Sequence, residues 1–255
     1  VLVVVLMLIE LVTWAVIGET HLLIDVDGGD LGGLVTVLGN GVLFIGLMAY
    51  KRIDYRELFH PARSSVSATL GVVTVPILLM VPGLVTLAGA LNSIVMWLFP
   101  MSVEDQAMFA DMMSASTLAV LFACVAAPVL EEMLFRGVIL RSFLRQYSRT
   151  RAILASSVIF GLAHLNVYQL ATAFAIGIIA GWLYERCRSL WPCIVLHAAY
   201  NGIVTYLHNT TISDEAAMGD TAAYTAVVFA AAIAGGLLLL RLLGTRATQR
   251  SSSDR

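Results

Sequence analysis

Charge is what this chain has least of. Charged residues make up 13% of its 255 positions, against about 25% in soluble domains, so it cannot surround itself with a solvated coat. With 59% hydrophobic residues and a mean hydropathy of +0.88, it must reside in a membrane. A net charge of -2 from 15 basic and 17 acidic residues leaves no electrostatic footprint for nucleic acid. Three cysteines in so long a chain make no disulfide framework. No internal repeat is visible, and the only low-complexity stretch is Ser251-Ser252-Ser253. The sequence starts at Val1 rather than Met, so the true start is expected to lie upstream. No basic stretch precedes the run from Val1 to Ile17 and no small-residue cleavage pattern ends it, which reads as a first membrane span and not a signal peptide.

Eight apolar runs are present, near residues 1-17, 34-50, 66-90, 114-140, 152-165, 168-184, 189-207 and 221-243. Lipid cannot satisfy exposed backbone groups, so each must be helical, and the expected fold is an all-α, polytopic membrane protein of about eight spans. Pro76 and Pro82-Gly83 should interrupt and kink the third run. Residues Ile94 to Met113 should lie along the outer interface, and their methionines are read as packing. The connectors alternate in charge. Lys51, Arg52, Arg56 and Arg63, then Arg141, Arg145, Arg149 and Arg151, then Arg186 and Arg188, then Arg241, Arg246, Arg250 and Arg255 share one side, fourteen of the fifteen basic residues. The positive-inside rule makes that side cytoplasmic, with both termini on it. The opposite connectors carry only acids, Glu19, Asp25, Asp27, Asp30, Glu104, Asp105, Asp111, Asp214, Glu215 and Asp220. The basic segments should also attract anionic lipid.

Against this background a few ionisable groups stand inside the apolar runs. Each costs at least ~2.5 kcal/mol there, which makes it a functional candidate by default. The fourth run contains Glu131, Glu132 and Arg136, the fifth His164, and the seventh His197 and Asn201. At ~1.5 Å per residue, Glu131 stands ~15 Å from Arg141, His164 ~20 Å from Arg151, and His197 and Asn201 ~14 and ~20 Å from Arg188. Three helices therefore offer polar groups at one depth, about midway through the core. Spacing of four puts Glu132 with Arg136, Phe160 with His164, and His197 with Asn201 on shared helix faces. Glu131 is turned ~100° from Glu132. The simplest division pairs Glu132 with Arg136 structurally and leaves Glu131 to a cavity, while Pro128 should deprive the Cys124 carbonyl of its donor. A satisfied ion pair and two core histidines are the bland alternative. Glu10, in the first run, is most simply a packed or paired side chain.

The ordered motifs Glu131-Glu132-Met133-Leu134-Phe135-Arg136, Phe160 to His164, and His197 to Asn201 resemble those of the CPBP intramembrane proteases, the family of the type II CAAX prenyl endopeptidase and of bacteriocin-processing and immunity proteins. Leu190-Trp191-Pro192 before the last motif is similar to the family too. The resemblance covers about residues 114-205 of one structural domain. Within that domain, residues 1-113 supply N-terminal helices and an outer interfacial segment, 114-207 the catalytic core, and 208-255 the last helix and tail. It implies a hydrolase in which Glu131 and His164 activate water for peptide cleavage while His197 and Asn201 stabilise the oxyanion, with Glu132, Arg136 and Phe160 in support. A carboxylate removed from bulk water is a stronger base, and a donor to a developing alkoxide contributes roughly 2.7 to 4 kcal/mol. Water must reach the site, so a cytoplasm-facing cavity is expected. The implied substrate is a peptide or lipidated protein, in the family's best-known case a prenylated CAAX tail. No cofactor is implied. Arg outnumbering Lys 14 to 1 points to a prokaryotic cell membrane.

Two other readings stand beside this one. Glu131, His164 and His197 could be zinc ligands with an open fourth position, although no HExxH helix accompanies them. A transporter or an immunity protein could instead retain the polar cluster for binding or proton relay.

Overall fold

The computed structural model describes residues 5, 8, 9, 11, 12, 15, 28–52, 54–112, 117–211 and 221–244. Among them it is helical throughout, without strands: α1 Gly28–Lys51, α2 Tyr55–Phe59, α3 Val66–Leu98, α4 Val103–Met112, α5 Thr117–Phe143, α6 Arg149–Leu162, α7 Val167–Cys187, α8 Trp191–Thr211 and α9 Thr221–Gly244. The protein is a polytopic all-α membrane protein. Four helices among the described residues, α3, α5, α7 and the Ala222–Gly244 portion of α9, are long and apolar enough to cross a bilayer. The expected first span and Glu10 within it lie largely or wholly outside the described residues, as does most of the arginine-rich tail.

Helix α3 is not ended by its prolines: it continues through Pro76 and Pro82 for 33 residues, about 50 Å. Close contact with α9 accompanies the prolines. A Cβ at Gly235 would collide with the Pro76 carbonyl, and one at Gly83 with the Cβ of Ala232. Small residues let two membrane helices approach where lipid offers no hydrophobic drive between them.

Helix α5 departs from the regular pattern. Two of its stretches, Phe122–Ala126 and Met133–Leu140, are π-helical, and the α-helical turns Ala127–Glu132 between them carry both glutamates. Wide turns of this kind need a cause and partners for the carbonyls they release. Pro128 supplies the cause. The Ala127 N–H bonds the Phe122 carbonyl five residues back, and in that register the donor for Ala123 would be residue 128, which has no N–H. In that register the Ala123 carbonyl is left without a backbone donor.

One end of the bundle is tied by charge and aromatic contact. Arg141 pairs with Glu57, and Arg149 Nε lies 3.0 Å from Glu185 Oε1. The Leu190 N–H donates to the Phe59 carbonyl at 2.8 Å, and the Phe59 and Trp191 rings lie 5.5 Å apart. These contacts bring α2, the end of α5, the start of α6, the end of α7 and the start of α8 together.

Candidate functional site

Glu132 and Arg136 are fully buried, 0% and 1% exposed, and joined at 2.8 Å. An uncompensated charge there would cost several kcal/mol, so partners on several sides are needed; Glu132 Oε1 has them, while its Oε2 is buried without a hydrogen-bond partner among the described residues. Arg136 Nη2 donates to the Gly177 carbonyl at 3.4 Å, and its guanidinium lies 4.4 Å from the Phe160 ring centroid. Glu132 Oε1 also accepts from His197 Nδ1 at 3.0 Å. The glutamate assigned to structure thus holds a proposed catalytic ring as well, a link that no spacing within one helix could reveal.

Glu131 turns the other way, with 32% of its side chain exposed. Its Oε2 is buried with no hydrogen-bond partner among the described residues, and stands 3.8 Å from His197 Nε2. That separation is too long for a direct hydrogen bond.

His164 sits differently from expectation. Helix α6 stops at Leu162, so the ring stands on the turn that follows and not on the helix. Its Nδ1 nevertheless donates to the Phe160 carbonyl at 2.9 Å. A carbonyl can only accept, so Nδ1 carries a proton, and Nε2 is the nitrogen left to act as an acceptor when it is unprotonated. The turn is shaped by Leu165, in the left-handed region at φ 56, and by Asn166, whose side chain caps α7 through the Gln169 N–H at 2.7 Å and donates to the His164 carbonyl at 3.1 Å. Phe160 packs edge-on against both His164 and His197, with centroids 5.1 and 5.8 Å apart.

Asn201 Nδ2 donates to the Ala123 carbonyl at 2.8 Å. It thereby satisfies the group that Pro128 orphans, and one amide hydrogen remains. Sequence reading missed this role, for which the π register is the only signal. Ser156 treats the second π stretch similarly, donating to the Phe135 carbonyl at 3.2 Å.

Glu131, His164, His197 and Asn201 all line one cavity of about 670 Å³. Its remaining wall includes Asn92, Phe109, Tyr168, Gln169, Thr205 and His208. These residues belong to the later part of α3, to α4, to the first turn of α7 and to the last turns of α8, opposite the end that carries Arg141 and Arg149. The cavity wall therefore extends toward the end away from these arginines. Among the described residues no group of three or more His, Cys, Asp or Glu side chains lies close enough to hold a metal ion. Glu131, His164 and His197 share the cavity without forming such a cluster.

Residues 113–203 match the family model described as Type II CAAX prenyl endopeptidase Rce1-like. The matched stretch is about a third of the chain. It contains every residue from Glu131 to Asn201, so the motif resemblance and the family match fall on the same helices. A curated relative in Bacillus subtilis (strain 168), named "Putative membrane peptidase YdiL", is 30% identical over 121 residues, 48% of this chain and 49% of that protein. The chain thus spans about half the length of the relative it matches. No solved structure matches it.

Proposed function

We propose that the protein is an intramembrane endopeptidase that hydrolyses a peptide bond with water activated by Glu131 and His164. The supporting observation is that Glu131, with 32% of its side chain exposed, and His164, whose Nδ1 donates to the Phe160 carbonyl and leaves Nε2 uncommitted, line the same cavity. The Rce1-like match supports a peptide or protein substrate.

In this mechanism a water between Glu131 and His164 loses a proton as its oxygen attacks the scissile carbonyl. The developing alkoxide needs donors. Asn201 has one amide hydrogen beyond that given to Ala123. His197 can donate from Nε2 only as the imidazolium, because its Nδ1–H is committed to Glu132, and carboxylates stand at both of its nitrogens, Glu132 at 3.0 Å and Glu131 at 3.8 Å. The proton taken from water then passes to the departing amine. Glu132 and Arg136 position His197 without touching substrate.

The test uses detergent-solubilised protein with a farnesylated CAAX peptide and a mixture of unprenylated peptides. Cleavage that persists in strong chelator and falls at least about a hundredfold in His164→Ala, in line with loss of a general base, is the expected result. Full turnover by His164→Ala, or no cleavage of any peptide, would overturn the reading. Loss in chelator with recovery on adding zinc would replace it by the zinc-dependent hydrolysis.

A further inference from the structure

Two features of the molecule point in opposite directions along the membrane normal. The basic connectors cluster at one end, where Arg141 meets Glu57 and Arg149 meets Glu185. The cavity extends toward the other. Along α8, His197 is six residues past Trp191, ~9 Å, whereas His208 is seventeen residues past it, ~26 Å, and both line the cavity. Asn92 on the later part of α3, Phe109 on α4 and Gln169 in the first turn of α7 complete that distant wall. Helix α4 carries Glu104 and Asp105 and no basic residue. Basic loops are retained in the cytoplasm.

From this we infer that the cavity opens to the extracytoplasmic face, and that its substrate is a peptide segment of an exported or membrane-inserted polypeptide presented from outside. Prenyl groups are added to C-terminal cysteines of cytoplasmic proteins, and such a tail would meet the arginine-bearing end, which the cavity does not face. The substrate assignment rests on the hydrolytic reading above; the orientation of the cavity does not.

Cysteine accessibility decides it. His208→Cys places a thiol on the distant wall and Tyr147→Cys places one in the exposed basic connector, each in the full chain expressed in a bacterial inner membrane. Intact cells are treated with a membrane-impermeant maleimide, and the parent chain, with Cys124, Cys187 and Cys193 in place, gives the background. The expected result is labelling of position 208 in intact cells at least tenfold above position 147, which labels only after permeabilisation. The reverse pattern, or a position 208 that labels only after permeabilisation, overturns the proposal. Asn92→Cys reads the same wall from α3 if His208→Cys fails to accumulate. Labelling needs no turnover, so an inward cavity in an active protease would refute this inference alone, and an outward cavity in a protein that cuts no peptide would refute the hydrolytic reading alone.

Discussion

Glu132 has two partners, Arg136 at 2.8 Å and His197 at 3.0 Å, and its replacement should expose both functions. Glu132→Gln keeps the volume but leaves the Arg136 cation buried without its counter-charge, a change expected to cost about 3–5 kcal/mol. Thermal unfolding in detergent should show a clear fall in Tm, with kcat falling as His197 loses its anchor. Arg136 was recognisable as the other half of an i,i+4 pair. The bond to His197 was not, because it spans 65 positions of sequence and depends on how α8 meets α5. Asn201 is similar: its position beside His197 marked it as polar and cavity-facing, yet its contact with Ala123 follows from a register shift that no residue spacing announces. Asn201→Leu should therefore lower stability by about 1–3 kcal/mol, the cost of a buried carbonyl left unpaired, in addition to slowing turnover. Equal melting temperatures for variant and parent would contradict that tether.

Helix boundaries were legible to within a few residues for α6, α7, α8 and α9, since lipid imposes the helical state on every long apolar run. Two features of the elements were not. The π stretches of α5 arise from Pro128 and from partners on α6 and α8, and the early end of α6 takes His164 off the helix face assigned to it. Packing of α6 on α7 fixes where that turn stands. A Cβ at Gly161 would come within 2.8 Å of the Leu170 carbonyl oxygen, and one at Gly177 within 3.0 Å of the Ser157 Cβ. Backbone cannot yield as a side-chain tip can, so Gly161→Ala should destabilise by roughly 1–3 kcal/mol and move the His164 turn. Gly202→Ala makes the comparison, because a Cβ there meets nothing within 4 Å. The account expects a lower Tm and reduced turnover for Gly161→Ala and near-parental values for Gly202→Ala.

At the scale of the whole molecule, charge set the membrane class and the arginine-bearing end, and both survive in the structure through Arg141 with Glu57 and Arg149 with Glu185. Which way the cavity extends was hidden, because it depends on the later halves of α3 and α8 leaning around Glu131 rather than on any local pattern. Those same walls make Glu131 the carboxylate that faces open space while Glu132 remains sealed. Because 32% of its side chain is exposed and Arg136 is already neutralised by Glu132, Glu131→Gln should leave the fold intact. The most direct measurement is therefore the peptide-cleavage rate of purified Glu131→Gln beside its melting temperature. The account predicts an unchanged Tm with kcat reduced at least about a hundredfold, as for loss of a general base; parental turnover by a folded Glu131→Gln protein would contradict it.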